Sequence, residues 1–545
     1  MVFMKPSTGK PWLRYYPEGA DKVPLPQVTA YQGIWDASKH YMKKVALEYR
    51  NLKITYKEVF KNIDATAKAF TKQGVVAGDV VSILLPNMPE TVYCMYALNK
   101  IGACANMLGF NLTTEQTIET VKSTKSKVLV IFDDFPELKK VISAVNIKII
   151  VAPGKGWDDF IGSGADAPAI HVPFKPKTAA IMVYSSGSTG APKAIVHGTE
   201  VLLYSTAQYK AIKLFPHRFL MHLIKFKALN MLPLFTVGGL SSINIYLTMG
   251  ATAILEPEYS SDAFISHLKN KKITQALATR AFYTELVQSG VTDLSKLRAL
   301  VVTGDDPEKE EQDILDYLKK CGSAAKISVP FGTSESANVA YNSRRDPKRQ
   351  GAGKPLSHSI VSAFDPDTNE ELGYNERGEL RVATPCLMLG YFNNPKADKD
   401  FFREHDGLTW GRTGDIGYVT KEGDVFVEGR ACDFVPGKNG RKVYLFDIKK
   451  VVLEDADVKS CEVIGLEVKG KTVPVVHLLL DNSCMKPHKE IIKRIHKNCT
   501  DKLSPDAVPY GYKIRESFDL LLSKKRDTQS LKKERDGYFT GGELA

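Results

Sequence analysis

The run AAIMVYSSGSTGAPKA (Ala179–Ala194) decides how this chain is read. Its first five residues are all apolar, which suits a short strand buried on both faces. The ten residues from Ser185 hold two glycines, three serines, one threonine and a single lysine. Backbone without Cβ atoms can turn its N–H groups inward, and hydroxyls add donors. Such a loop makes a concave site for phosphate oxygens, with Lys193 as a point charge on the outer ones. Taken alone, the same composition also describes a plain surface turn. The spacing is not GxxxxGK[ST], which puts the lysine directly after the last glycine, nor is it GxGxxG.

Working outward, short apolar strands alternate with amphipathic helices. A helix is expected from Tyr56 with an apolar stripe at Val59, Phe60, Ile63, Ala67 and Phe70, followed by a strand at Val80–Leu85 and a helix at Glu90–Ile101. Further strands are expected at 128–132, 149–152, 179–184, 251–255 and 297–303, with helices at 261–270 and 308–320. This alternation predicts an α/β class with layered, mostly parallel sheets. After Phe364 turn residues and short strands dominate, predicting a β-rich subdomain at about 365–428. Beyond Gly429-Arg430 comes a compact α+β mixture. The expected division is therefore a large domain, 1–429, and a small mobile one, 430–545.

The chain has 545 residues, 43% hydrophobic and 25% charged, enough for a large core in several folding units. Its net charge of +12 is spread along the sequence without basic–aromatic blocks, which argues against nucleic acid as a partner. None of the eight cysteines forms a close CxxC pair. Met1-Val2-Phe3-Met4-Lys5-Pro6 lacks the apolar run of a signal peptide and there is no run of about 18 apolar residues, so neither a leader nor a membrane span is expected and the chain reads as cytoplasmic.

Tyr184–Lys193 resembles the [ST]SGSTGxPK phosphate loop of the ANL superfamily of adenylating enzymes, which includes acyl-CoA synthetases, peptide-synthetase adenylation domains and luciferases. Other segments resemble that superfamily's motifs in the same order. They are Thr303-Gly304-Asp305-Asp306-Pro307 (the adenine turn), Phe331-Gly332-Thr333-Ser334-Glu335, Trp410–Asp415 ending in TGD, Gly429-Arg430, and Lys525-Arg526-Asp527. The resemblance spans roughly residues 30 to 535 and implies two-step chemistry, in which an acid attacks the α-phosphate of ATP and the acyl-adenylate passes to CoA. The first barrier is mostly repulsion between anions, so cations and donors matter more than a proton-transfer base.

By that resemblance Ser185, Ser186, Gly187, Ser188, Thr189, Gly190 and Lys193 cradle the phosphates. Gly304, Asp305, Asp306, Phe331, Gly332 and Thr333 surround the nucleotide. Ser334 donates to the α-phosphate and Glu335 holds Mg²⁺, a hard ion that prefers carboxylate oxygens. Asp415 accepts from the ribose hydroxyls with help from Arg430, and Lys525 bridges the carboxylate and α-phosphate. Cys432 stands at the hinge position and Gly440 on the face expected to meet CoA.

The sequence departs from the family at several places. Thr236 follows Leu232-Pro233-Leu234-Phe235 where the family often has histidine, and Arg280 stands where proline is common. Pro436 replaces a lysine, and Lys524 replaces the glycine before the catalytic lysine. Thr236 and Arg280 are the expected acyl-site residues. An inward arginine would call for an anionic partner, either a second carboxylate on the substrate or a nearby acid such as Glu285; with its head in solvent, a medium- or long-chain fatty acid is the expectation. Two rivals stand beside the acyl-CoA synthetase: an enzyme that loads a carrier protein or forms an amide, and a nucleotide-binding homologue with weakened catalysis.

Overall fold

The chain is described here by a computed structural model covering residues 5–110, 112–185, 193–212, 226–270, 272–303, 310–342, 351–481, 484–519 and 526–541. The expected helix spans Tyr56–Lys72. Thr55 starts it with a capping box: Glu58 donates its N–H to the Thr55 hydroxyl, and its carboxylate accepts from Thr55 N–H at 2.7 Å. The apolar stripe at Val59, Phe60, Ile63, Ala67 and Phe70 is buried on one side, as the 3.6-residue period requires.

Two seven-stranded sheets form the bulk of the molecule. The first runs in the order Gly390–Tyr391, Ala194–Gly198, Ala179–Tyr184, Cys104–Met107, Val80–Leu84, Val128–Phe132 and Lys148–Ala152. The second runs Lys326–Ser328, Ala299–Thr303, Gln275–Thr279, Lys227–Asn230, Thr252–Leu255, Val45–Tyr49 and Leu52–Thr55. In the second, the five strands from Lys326–Ser328 to Thr252–Leu255 are mutually parallel. Their carboxyl ends therefore share one edge, and the chain leaving them carries Thr236, Arg280 and Phe331–Glu335. Ligands of open α/β sheets bind at that edge. This is the expected α/β class.

A third, antiparallel sheet joins Ile360–Phe364, Gly378–Ala383, Leu408–Val419 and Phe402–His405, with Val425–Arg430 paired to Leu408–Val419. It takes in Ile360–Phe364, ahead of the change of texture in the sequence, and continues through Arg430. A fourth sheet holds Val458–Val468, Lys471–Leu480, Gly511–Arg515 and Phe539–Thr540, with helix His488–Lys502 packed in the same apolar cluster. All eight cysteines are free. No helix of the described residues is long and apolar enough to cross a membrane.

Candidate nucleotide and acid site

The two strands that flank the glycine-rich stretch pair with each other. Strands Ala179–Tyr184 and Ala194–Gly198 are antiparallel, and Tyr184 pairs with Ala194. Ser185 and Lys193 close the loop's base: Ser185 N–H donates to the Lys193 carbonyl (3.1 Å), and Lys193 N–H donates to Ser185 Oγ (3.2 Å). Ser186, Gly187, Ser188, Thr189 and Gly190, expected to cradle phosphate, lie outside the described residues. So do Gly304, Asp305 and Asp306, expected near the adenine, and Lys525.

Lys193 is exposed, and its ammonium stands 5.2 Å from the centre of the Tyr391 ring. The Tyr391 hydroxyl donates to Glu335 Oε1 at 2.8 Å. Burial, and after it the Glu335 charge, pushes this hydroxyl well above the usual tyrosine range, so it stays a donor. Strand pairing places Tyr391: Gly390 sits opposite Val196 and Tyr391 opposite Ile195, at the edge of the first sheet. On the other side, Met388 N–H donates to the Glu335 carbonyl at 2.7 Å. One short segment thus threads between strand Ala194–Gly198 and Glu335.

Ser334 is tied to the same strand through His197, whose Nε2 donates to the Ser334 carbonyl at 2.8 Å. A carbonyl only accepts, so Nε2 carries the proton. Burial holds this imidazole down at about 4, leaving it neutral, and Nδ1 has no partner among the described residues. Phe331-Gly332-Thr333 forms a tight antiparallel pair with Ala337–Tyr341. A Cβ on Gly332 would lie 2.1 Å from the Ala337 carbonyl oxygen, so only glycine fits there.

Asp415 lies on strand Leu408–Val419, opposite Arg430, and accepts from the Arg430 guanidinium at 2.7 Å. Gly414 before it has φ +70, a turn that swings the strand at the TGD segment. The Asp415 side chain is 8% exposed and that of Arg430 51%. Burial raises the Asp415 carboxyl above its ordinary value, Arg430 opposes that, and the Glu335 charge adds to it, which puts both carboxylates in one field.

Thr236 caps helix Val237–Thr248: its hydroxyl accepts from Gly239 N–H (3.2 Å) and donates to the Pro233 carbonyl (2.8 Å). That helix packs on strand Ala337–Tyr341, next to Glu335. Arg280 is half-buried and begins helix Arg280–Gln288. Leu232, Leu277 and Val301 form a small apolar cluster, with Leu277 and Val301 at the middle of their strands and Leu232 just past the carboxyl end of Lys227–Asn230. Cys432 and Gly440 are exposed beyond the third sheet; burial, then the Asp433 charge, raises the Cys432 thiol.

Tyr391 and His197 are absent from the sequence reading. For His197 a signal existed: it alternates with Ile195 on the strand leaving Lys193, in phase with a buried position. Tyr391 reaches the site through a pairing across nearly two hundred residues, which no local pattern records.

The family model described as AMP-binding enzyme matches residues 34–392, well over half of the chain. The 2-succinylbenzoate–CoA ligase of Bacillus subtilis (strain 168) is 25% identical over 505 residues, covering 91% of this chain and 96% of that protein. A probable 4-coumarate–CoA ligase 2 of Dictyostelium discoideum is 25% identical over 479 residues, covering 81% of this chain and 85% of that one. The solved structure of o-succinylbenzoate coenzyme A synthetase from Bacillus subtilis, in complex with AMP, superposes with a TM-score of 0.75 at 23% identity, over 93% of this chain and 98% of that chain. The matched region takes in the glycine-rich stretch, Ser334, Glu335 and Tyr391, and the chain belongs to the AMP-binding enzyme family of the ANL superfamily.

Proposed function

We propose that this AMP-forming acid–CoA ligase activates an apolar monocarboxylic acid, with a medium- or long-chain fatty acid as the first reading. The observation that carries the adenylation chemistry is the line Lys193–Tyr391–Glu335 beside the Asp415–Arg430 pair. Lys193 offsets charge on the leaving phosphates and Ser334 donates to the α-phosphate. Asp415, held by Arg430, accepts from the ribose hydroxyls. Lys525 steadies charge developing between the carboxylate and the α-phosphate.

Mg²⁺ suits the donor chemistry: Glu335 offers a hard carboxylate oxygen, and its Oε2 accepts no hydrogen bond among the described residues. When bound, the ion would neutralise phosphate charge. We further propose that residues 430–545 form a mobile domain turning about Cys432 to bring the Gly440 face to CoA, in the cytoplasm.

The acid reading rests on where Thr236 spends its hydroxyl. With that group committed to a helix cap, the nearby cluster of Leu232, Leu277 and Val301 favours an apolar body. An aromatic acid is the second reading, favoured by relatives named for 2-succinylbenzoate and 4-coumarate. The test is a panel of octanoate, palmitate, 4-coumarate and 2-succinylbenzoate, scored for ATP–pyrophosphate exchange without CoA and for thioester with CoA. Exchange and thioester with a fatty acid above the aryl acids support the first reading; the reverse order supports the second. Exchange without any thioester returns the acceptor to a carrier protein or an amine, and no exchange with any acid in a wider panel removes the ligase reading.

A further inference from the structure

Lys193 and Glu335 face the same tyrosine from two sides, yet among the described residues neither takes part in an ion pair. An ammonium and a carboxylate that meet one tyrosine at a half-buried site attract each other. A direct pair would use up the phosphate cation and the metal-holding carboxylate on each other. A phenol suits the space between them because it presents two different surfaces: its ring face attracts the ammonium, and its hydroxyl donates to the carboxylate.

The ring is fixed independently of both charges. Tyr391 N–H donates to Asp398 Oδ1 at 2.6 Å, and Phe392 N–H donates to the Ala194 carbonyl at 2.8 Å. Phe401 meets the ring edge-on with centroids 6.1 Å apart. The tyrosine is therefore held by strand pairing and packing rather than by the groups it separates.

We propose that Tyr391 is a positioning residue that keeps Lys193 and Glu335 apart, leaving the first available to phosphate and the second to a divalent cation. The proposal rests on the ATP reading above.

The test is calorimetric titration of ATP, once in EDTA and once in Mg²⁺, on the full chain. Y391F keeps the ring, so its affinity in EDTA should stay near wild type. The additional affinity conferred by Mg²⁺ should fall about tenfold with the lost charge-assisted hydrogen bond. Y391L removes both surfaces, and Glu335 then captures Lys193, so affinity in EDTA should fall about tenfold. The deciding variant is Y391L/E335Q: with no carboxylate to capture it, Lys193 is released and affinity in EDTA recovers toward wild type. A purely structural role for the ring predicts that Y391L/E335Q binds ATP in EDTA about tenfold more weakly than E335Q alone, as Y391L does relative to wild type. A double variant as weak as Y391L, or a Y391L protein that binds ATP like wild type, overturns the proposal. K193A separates the two levels: if it binds ATP as wild type does, the reading of the phosphate loop fails, whatever Tyr391 does.

Discussion

Asp415 is a carboxylate almost wholly out of water whose burial is only partly offset by a half-exposed arginine. Such a group is kept charged at a cost, which fits a role that needs a strong acceptor. Asp415→Asn should raise the KM for ATP about tenfold or more and leave the KM for the acid nearly unchanged, since an amide accepts more weakly from a hydroxyl pair. Steady-state kinetics with each substrate varied in turn checks this; equal effects on both KM values would remove Asp415 from the ribose. At this scale the sequence was legible where chemistry and local order coincide. Lys193, Glu335 and Asp415 each sit in a contiguous motif, and the fold sets them in one field. Tyr391 was not legible, and of His197 only its inward phase was, because their roles arise from strand pairing and from a carbonyl partner more than a hundred residues away.

Elements were read best where a single period governs them. Helix Tyr56–Lys72 announces itself by Thr55, Glu58 and its stripe, whereas Ile360–Phe364 is buried on both faces, shows no period, and only its antiparallel partner assigns it to the third sheet. The fourth sheet carries an electrostatic consequence no pattern displays. His477, on Lys471–Leu480, has its Nδ1 accepting from Arg515 (2.9 Å) and lies 2.9 Å by Nε2 from the Tyr538 hydroxyl. Burial, then the Arg515 charge, holds it down at about 4. Glu534, bonded first by Arg515 and then by Lys513, sits at about 2. Both folded values lie below the unfolded ones. From pH about 6.5 down to about 4, the unfolded chain takes a proton that folded His477 refuses. From about 4.5 down to about 2 the same holds for Glu534. The fourth sheet should therefore lose stability as pH falls through each window, by about 1.4 kcal/mol per pH unit for each group. Hydrogen exchange of Lys471–Leu480 and Gly511–Arg515, corrected for intrinsic rates, reports this. His477→Gln should flatten the upper window alone, and Glu534→Gln the lower; an unchanged slope in the upper window would refute the assignment to His477.

Across the whole molecule, the question is whether residues 430–545 can leave their present seat. Arg377, from the third sheet's side, bonds Asp447 through both terminal nitrogens at 3.0 and 2.8 Å. Phe446 lies so close to Gly429 that a Cβ there would come within 2.2 Å of the ring. The ion pair is exposed at 41% and 36%, where such pairs contribute about 0–1 kcal/mol. That holds an orientation without locking it, as a two-position mechanism requires. If the small domain delivers Lys525 for the first half-reaction and withdraws it for the second, Lys525→Ala should split them. ATP–pyrophosphate exchange should fall by about 10²–10³, the effect of deleting one charge-stabilising donor, while thioester formation from supplied acyl-adenylate stays within about twofold. Lys524→Ala should leave both rates near wild type. Were Lys524→Ala to produce the split instead, the catalytic lysine would be one position earlier. Were both half-reactions to fall together in Lys525→Ala, the lysine would be serving a single fixed arrangement, and rotation about Cys432 would have no support.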